Sequence, residues 1–209
     1  RRRSRRRLGP MAGIIARHLM QGGQVAEAWP LLLVAAQRKM RAGKVTAARR
    51  LLRLAMDARP AAEKGLSDDE LQRNLRLLYA LEGEALERTG DLTGAVKAWE
   101  HALIAAEEEG NRQTIARIRS GLGLAFNARG DVGPATVGLE KAIAALQRGD
   151  PMWPKVARAL ASARLESGHV TGAERLWRDL LELSRATDSA SLRAEAVAGL
   201  GMVSLARGH

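Results

Sequence analysis

The stretch that decides the fold is Tyr79–Leu103, which reads YALEGEALERTGDLTGAVKAWEHAL. It divides at Gly90. Upstream, Tyr79, Gly83 and Leu86 follow one another at helical spacing, and downstream Leu92, Ala95, Trp99 and Ala102 do the same. Two apolar stripes of helical period on either side of one glycine predict a helix–turn–helix, because glycine adopts the left-handed conformation that ends a helix without a steric penalty.

The same offsets recur along the chain. Gly23, Gly43, Gly90, Gly130 and Gly168 are each followed two residues later by an aliphatic residue: Val25, Val45, Leu92, Val132 and Val170. Five residues on stands alanine each time, at Ala28, Ala48, Ala95, Ala135 and Ala173, a coincidence of about 0.0002 by composition. Nine residues on comes a large apolar residue (Leu32, Leu52, Trp99, Leu139, Trp177), and twelve on comes Ala35, Ala55, Ala102, Ala142 or Leu180. Seven residues before the anchors, Gly208 now included, the chain is small: Ala16, Ala36, Gly83, Gly123, Ala161 and Gly201. Small residues beside the turn let two helices approach, and the large residue fills the space between them. The unit is about 40 residues. One such unit is too thin to bury its own stripe, so the columns predict an all-α, right-handed solenoid of stacked helical hairpins.

These columns resemble the tetratricopeptide repeat (TPR). The best copies are Tyr79–Leu103 and Leu122–Ile143, the latter with Gly123, Phe126, Gly130, Asp131, Ala135, Leu139 and Ala142. Lys39, Arg164 and Ser204 stand where the pattern has an apolar residue four before the anchor, so those units are expected to pack less tightly. The long unit, and a first segment containing Ile-Ala-Arg-His-Leu, Trp29–Leu33 and Ala47–Leu52, resemble the MalT-like TPR array that follows the ATPase module in bacterial signal-transduction ATPases and kinase fusions. Residues 14–209 are expected to form about five repeats, the last truncated. Residues 1–13 are expected to be a basic arm, disordered or the end of a fragment.

Local signals refine the boundaries. Ser67-Asp68-Asp69-Glu70 has the form of a capping box, predicting a helix from there to about Thr89. Arg59-Pro60 is expected to close the helix before it, leaving Pro60–Leu66 as the longest loop. Gly149-Asp150-Pro151 is a further break, with Trp153 beside it as the least constrained tryptophan; Trp29, Trp99 and Trp177 are expected to be packing residues.

The net charge of +11 is unevenly placed. Residues 1–60 hold 15 Lys and Arg against Glu27 and Asp57, a net +13, while residues 61–209 carry a net −2. Arg1, Arg2, Arg3, Arg5, Arg6 and Arg7 form a self-repelling run. With Arg38, Lys39, Arg41, Lys44, Arg49, Arg50 and Arg53 they support an alternative reading as a nucleic-acid-binding module.

Catalytic chemistry finds little support. There is no cysteine, and His18, His101, His169 and His209 are isolated from one another in sequence. Gly43-Lys44 lacks both the first glycine and the Ser or Thr of a phosphate loop. Glu107-Glu108-Glu109 reads as a solvated helix end. The expectation is a protein without catalytic residues, cofactor or metal, cytoplasmic and without a membrane span.

The TPR resemblance implies a partner groove lined by the first helix of each unit. By offset from the anchors its lining includes Gln37, Met40, Ala80, Glu84, Glu87, Arg117, Ser120, Leu124, Asn127, Lys155, Arg158 and Ser162. Arg117, Asn127, Lys155 and Arg158 would hold the carboxylate of a peptide or an acidic segment, since charge-assisted bonds to carboxylate are strong. The function expected from the resemblance is protein–protein interaction, as the sensor or regulatory module of a larger bacterial signalling ATPase or serine/threonine kinase regulator.

Overall fold

The computed structural model describes the backbone of residues 2–208 and the side chains of residues 11–208. Among the described residues all regular structure is helical. The helices are α1 (Arg2–Gln21), α2 (Val25–Arg41), α3 (Val45–Glu63), α4 (Asp68–Arg88), α5 (Leu92–Glu109), α6 (Arg112–Arg129), α7 (Val132–Ala145), α8 (Trp153–Glu166), α9 (Val170–Ala186) and α10 (Ala190–Ala206). They form two compact units, Arg1–Asn111 with α1–α5 and Arg112–His209 with α6–α10.

Each anchor glycine turns the chain with φ between 71° and 89°. The turn is closed by one backbone bond that recurs five times. The amide after the glycine donates to the carbonyl five residues back: Gln24 to Leu19, Lys44 to Lys39, Asp91 to Leu86, Asp131 to Phe126 and His169 to Arg164, at 2.7–3.0 Å. This is the Schellman closure, and it engages main-chain atoms only. Lys39 and Arg164 therefore serve as closing residues as well as the apolar ones do, so the turn itself does not loosen there. Arg164 also lays its stem against Gly172 and pairs with Glu140 of α7 at 2.7 Å.

The repeat columns are packing columns. All five alanines that follow the anchors by five residues are fully buried. A β-carbon on Gly83 would stand 2.8 Å from Trp99 Nε1, and one on Gly123 would stand 2.9 Å from Leu139. At these two turns the position before the glycine is thus small because the large position after it leans on it. The first core gathers Trp29, Leu32, Leu33, Leu52, Leu75 and Leu78; the second gathers Leu139, Val156, Leu160, Trp177 and Leu180.

Three expectations need correction. Helix α3 does not stop at Pro60 but runs to Glu63, because Ala62 is buried in the first core and Arg59 pairs with Glu63 one turn on at 2.5 Å. Proline removes one helical bond there, and packing outweighs the loss. The capping box does form at Ser67, and α4 ends at Arg88 with Thr89 as its cap. Trp153 is not loosely held: it opens α8 only 5% exposed, in the second core, with Arg148 5.6 Å from its ring centroid. Glu109 is no free helix end, because it accepts from Arg76 Nε at 2.6 Å across α4 and α5.

Candidate functional site

The predicted groove residues divide between the two units. Glu84 and Glu87 lie on α4 of the first; Arg117, Ser120 and Asn127 on α6, and Lys155 and Arg158 on α8, belong to the second. Within the first unit α2 runs beside α4, and within the second α6 runs beside α8 and α8 beside α10. These are the first helices of successive repeats, whose exposed faces would form any groove.

Several of the predicted residues are already engaged. Glu84 pairs with Arg88 at 2.6 Å, and Arg88 also donates to the Met40 carbonyl, tying α4 to the end of α2. Glu87 accepts from the Trp99 indole at 2.7 Å and so orients a core residue of its own repeat. Met40, expected to line the groove, is 1% exposed and part of the first core. Ser120 is fully buried and donates to the Ala116 carbonyl at 2.8 Å, so no partner meets it. Its small side chain sits beside Gly121 and Gly123, where the backbone comes close to α7.

The cations of the second unit are held by carboxylates that the sequence reading passed over. Arg117 bonds Asp150 through both Nε and Nη2, at 3.2 and 3.0 Å. Asp150 is nearly buried and also accepts from the Met152 amide at 2.9 Å, an arrangement that fixes the entry into α8. The Met152 amide, then Arg117 and Gln113, hold its carboxyl below the usual aspartate range against the burial that raises it. The signal was the Asp-Pro step ahead of a helix, where an aspartate commonly bonds the backbone two residues on. Arg158 on α8 reaches Glu195 on α10 at 2.5 Å. Lys155 is exposed and, among the described residues, has no carboxylate partner; Asn127, Leu124 and Ser162 are half-buried.

The first unit carries a second group of charges. Arg17 of α1, Arg38 and Lys39 of α2, and Lys44 of the following turn line a cleft of about 430 Å³. Sequence reasoning missed Arg17, although it stands six residues before Gly23, as Gln37 and Glu84 stand before their anchors. Elsewhere in the unit Glu82 lines a smaller cleft with Arg49, Arg53 and Asp57. Burial pushes its carboxyl up, with His101 and Arg49 opposing.

Among the described residues no group of three or more His, Asp or Glu is placed to hold a metal ion, and no helix is long and apolar enough to cross a membrane.

Glycine-closed helical hairpins with interlocking small and large columns define a TPR-like repeat protein, and solved structures agree with that fold. The chain is similar to BtubC (BKLC) from P. vanneervenii, at 18% identity over 96% of this chain and 88% of that one, with a TM-score of 0.59. It is also similar to a kinesin-light-chain-type protein of nearly identical TPR-like repeats from Podosopora anserina, at 21% identity over 88% and 97% of the two chains, with a TM-score of 0.55. No protein-family model and no curated protein matches the chain.

Proposed function

We propose that this chain is a non-enzymatic TPR-type module that takes a protein or peptide partner along the first helices of its second unit, and that it serves as the sensor or regulatory arm of a larger cytoplasmic bacterial signalling ATPase or kinase regulator. The observation that carries the first part is the row α6, α8 and α10, with Lys155 exposed and Arg117, Asn127 and Arg158 placed on the same helices. Arg158 is half exposed, so an incoming carboxylate can replace Glu195 at its guanidinium with little change in desolvation. Arg117 contributes less, because its fork is closed on a nearly buried Asp150. An acidic or carboxylate-ending segment suits this surface better than a basic one. The signalling context rests on the resemblance of the repeat length and of the first segment to the arrays in such proteins.

A display screen of random peptides against the 209-residue chain tests the reading, counter-screened against Lys155→Glu combined with Arg158→Glu. Peptides enriched in Asp and Glu that fail to bind the double variant are the expected result. Peptides that bind both proteins equally would remove the groove from consideration.

A further inference from the structure

Among the described residues, the cleft between α1, α2 and the start of α3 is lined by four cations and by no anion. Arg17, Arg38, Lys39 and Lys44 meet there over the small and aliphatic side chains of Ile14, Ala35 and Leu51. Through the first 58 residues the only carboxylates are Glu27 and Asp57, and neither lines the cleft. Later in the chain arginine is usually neutralised: Arg59, Arg76, Arg88, Arg117, Arg129, Arg148, Arg158 and Arg164 each hold a carboxylate. Among the described residues, none of the four cleft cations has such a partner. Like charges gathered on one concavity repel one another and raise the local potential until an anion fills the space.

We infer that this cleft binds the phosphate backbone of a nucleic acid duplex. Among the described residues its polar lining is entirely cationic, with no aromatic ring to stack a base and no amide or hydroxyl side chain to read one. Exposed Arg41 at the end of α2 and Arg50 in the first turns of α3 add charge beyond the cleft, whereas Arg49 and Arg53 line the separate cleft with Glu82 and Asp57. A row of cations extending beyond the cleft suits an anion that repeats at regular intervals, and a guanidinium fork meets phosphate oxygens two at a time. A peptide would need side-chain pockets or a strand edge, and the cleft offers neither. The binding is therefore insensitive to base sequence.

The test is fluorescence anisotropy of a labelled 20-base-pair duplex, a probe length of about two helical turns, with the whole chain, at salt from about 50 to 200 mM. Four phosphate contacts make affinity fall about 150-fold over that range, with a slope of about −3.6 in log–log form. Replacing Arg17, Arg38, Lys39 and Lys44 together by alanine is expected to flatten the slope by about that amount. Replacing Lys97, Lys141, Arg175 and Arg185 removes the same charge from exposed sites elsewhere and is expected to leave the slope unchanged. The arginines before residue 8 are common to both variants and cancel in the comparison. Arg17→Ala and Lys44→Ala alone, each flattening the slope by about 0.9, carry the test if the fourfold variant loses helicity. No duplex binding at low salt, or equal weakening by the two fourfold variants, would overturn the assignment. So would a polyglutamate that binds the cleft more tightly than the duplex, since the occupant would then be an acidic polypeptide.

Discussion

Gly199 and Gly201 lie two residues apart on α10, and the same substitution is expected to have opposite effects at the two sites. A β-carbon on Gly199 would stand 2.2 Å from Trp177 Cδ2, 2.3 Å from Cε2 and 2.6 Å from Cε3. Ordinary van der Waals contact begins near 3.4 Å, so the indole must retreat by more than an ångström. Trp177 is 6% exposed and part of the second core, so it has little room to do so. Overpacking of this severity costs about 3 kcal/mol. Alanine in place of glycine within a helix returns about 1 kcal/mol, leaving Gly199→Ala about 2 kcal/mol less stable. At Gly201 the added carbon meets nothing within 4 Å, and only the helical gain remains. Because that gain is common to both variants, their difference of about 3 kcal/mol isolates the contact with Trp177. At about 3 °C per kcal/mol, thermal melts followed by far-UV circular dichroism should place the two variants about 9 °C apart, on opposite sides of the parent. Equal stabilisation by both would refute the seating of α10 on Trp177.

The three repeat tryptophans differ in what their N–H groups meet. Trp29 donates to the Ala55 carbonyl at 2.7 Å in full burial, whereas Trp177 Nε1 is buried and, among the described residues, has no partner. Trp29→Phe should therefore destabilise by about 1–2 kcal/mol more than Trp177→Phe in urea melts, since it removes a buried hydrogen bond that Trp177 does not make. Asp150→Asn should lose about 2 kcal/mol at neutral pH, where the charged carboxylate holds the Met152 amide and Arg117. Its folded pKa lies below the unfolded one, so that stability is present above the usual aspartate range and fades as pH falls through the lowered pKa, and the gap between parent and variant should close in acid melts. Glu82→Gln should show the reverse sign. Burial raises that carboxyl, so the parent loses stability as pH rises from the usual glutamate range through the raised pKa, and the variant should be the more stable at neutral pH and equal to it in acid.

The fold was legible because it is periodic. Glycine anchors, buried alanines and the small–large pairing are each repeated, and every copy reports the same local geometry, as Gly83 against Trp99 and Gly123 against Leu139 illustrate. The exit of α3 was not legible, because a proline rule acts locally while Ala62 is held by a core assembled from distant residues. Charge partnerships were hidden for the same reason. Arg117 and Asp150 are 33 residues apart, and Arg158 and Glu195 are 37 apart, separations that only the stacking of one hairpin on the next resolves. Ser120 carried the right offset for a groove but is fully buried, its hydroxyl turned back to the Ala116 carbonyl of its own helix. Arg17 shared its offset with Gln37 and Glu84, and the spacing of 20 residues between Gly23 and Gly43, half the usual unit, masked it.

The turn closure joins main-chain atoms, and Leu, Lys, Phe and Arg all occupy its acceptor position. A hairpin of this kind is specified by its glycine and a few interior residues, while most of its outward positions carry no folding instruction. Such a scaffold can be rewritten on its surface, one repeat at a time, and still assemble. Two copies of the same architecture can thus differ at about four positions in five, as this chain and its structural neighbours do.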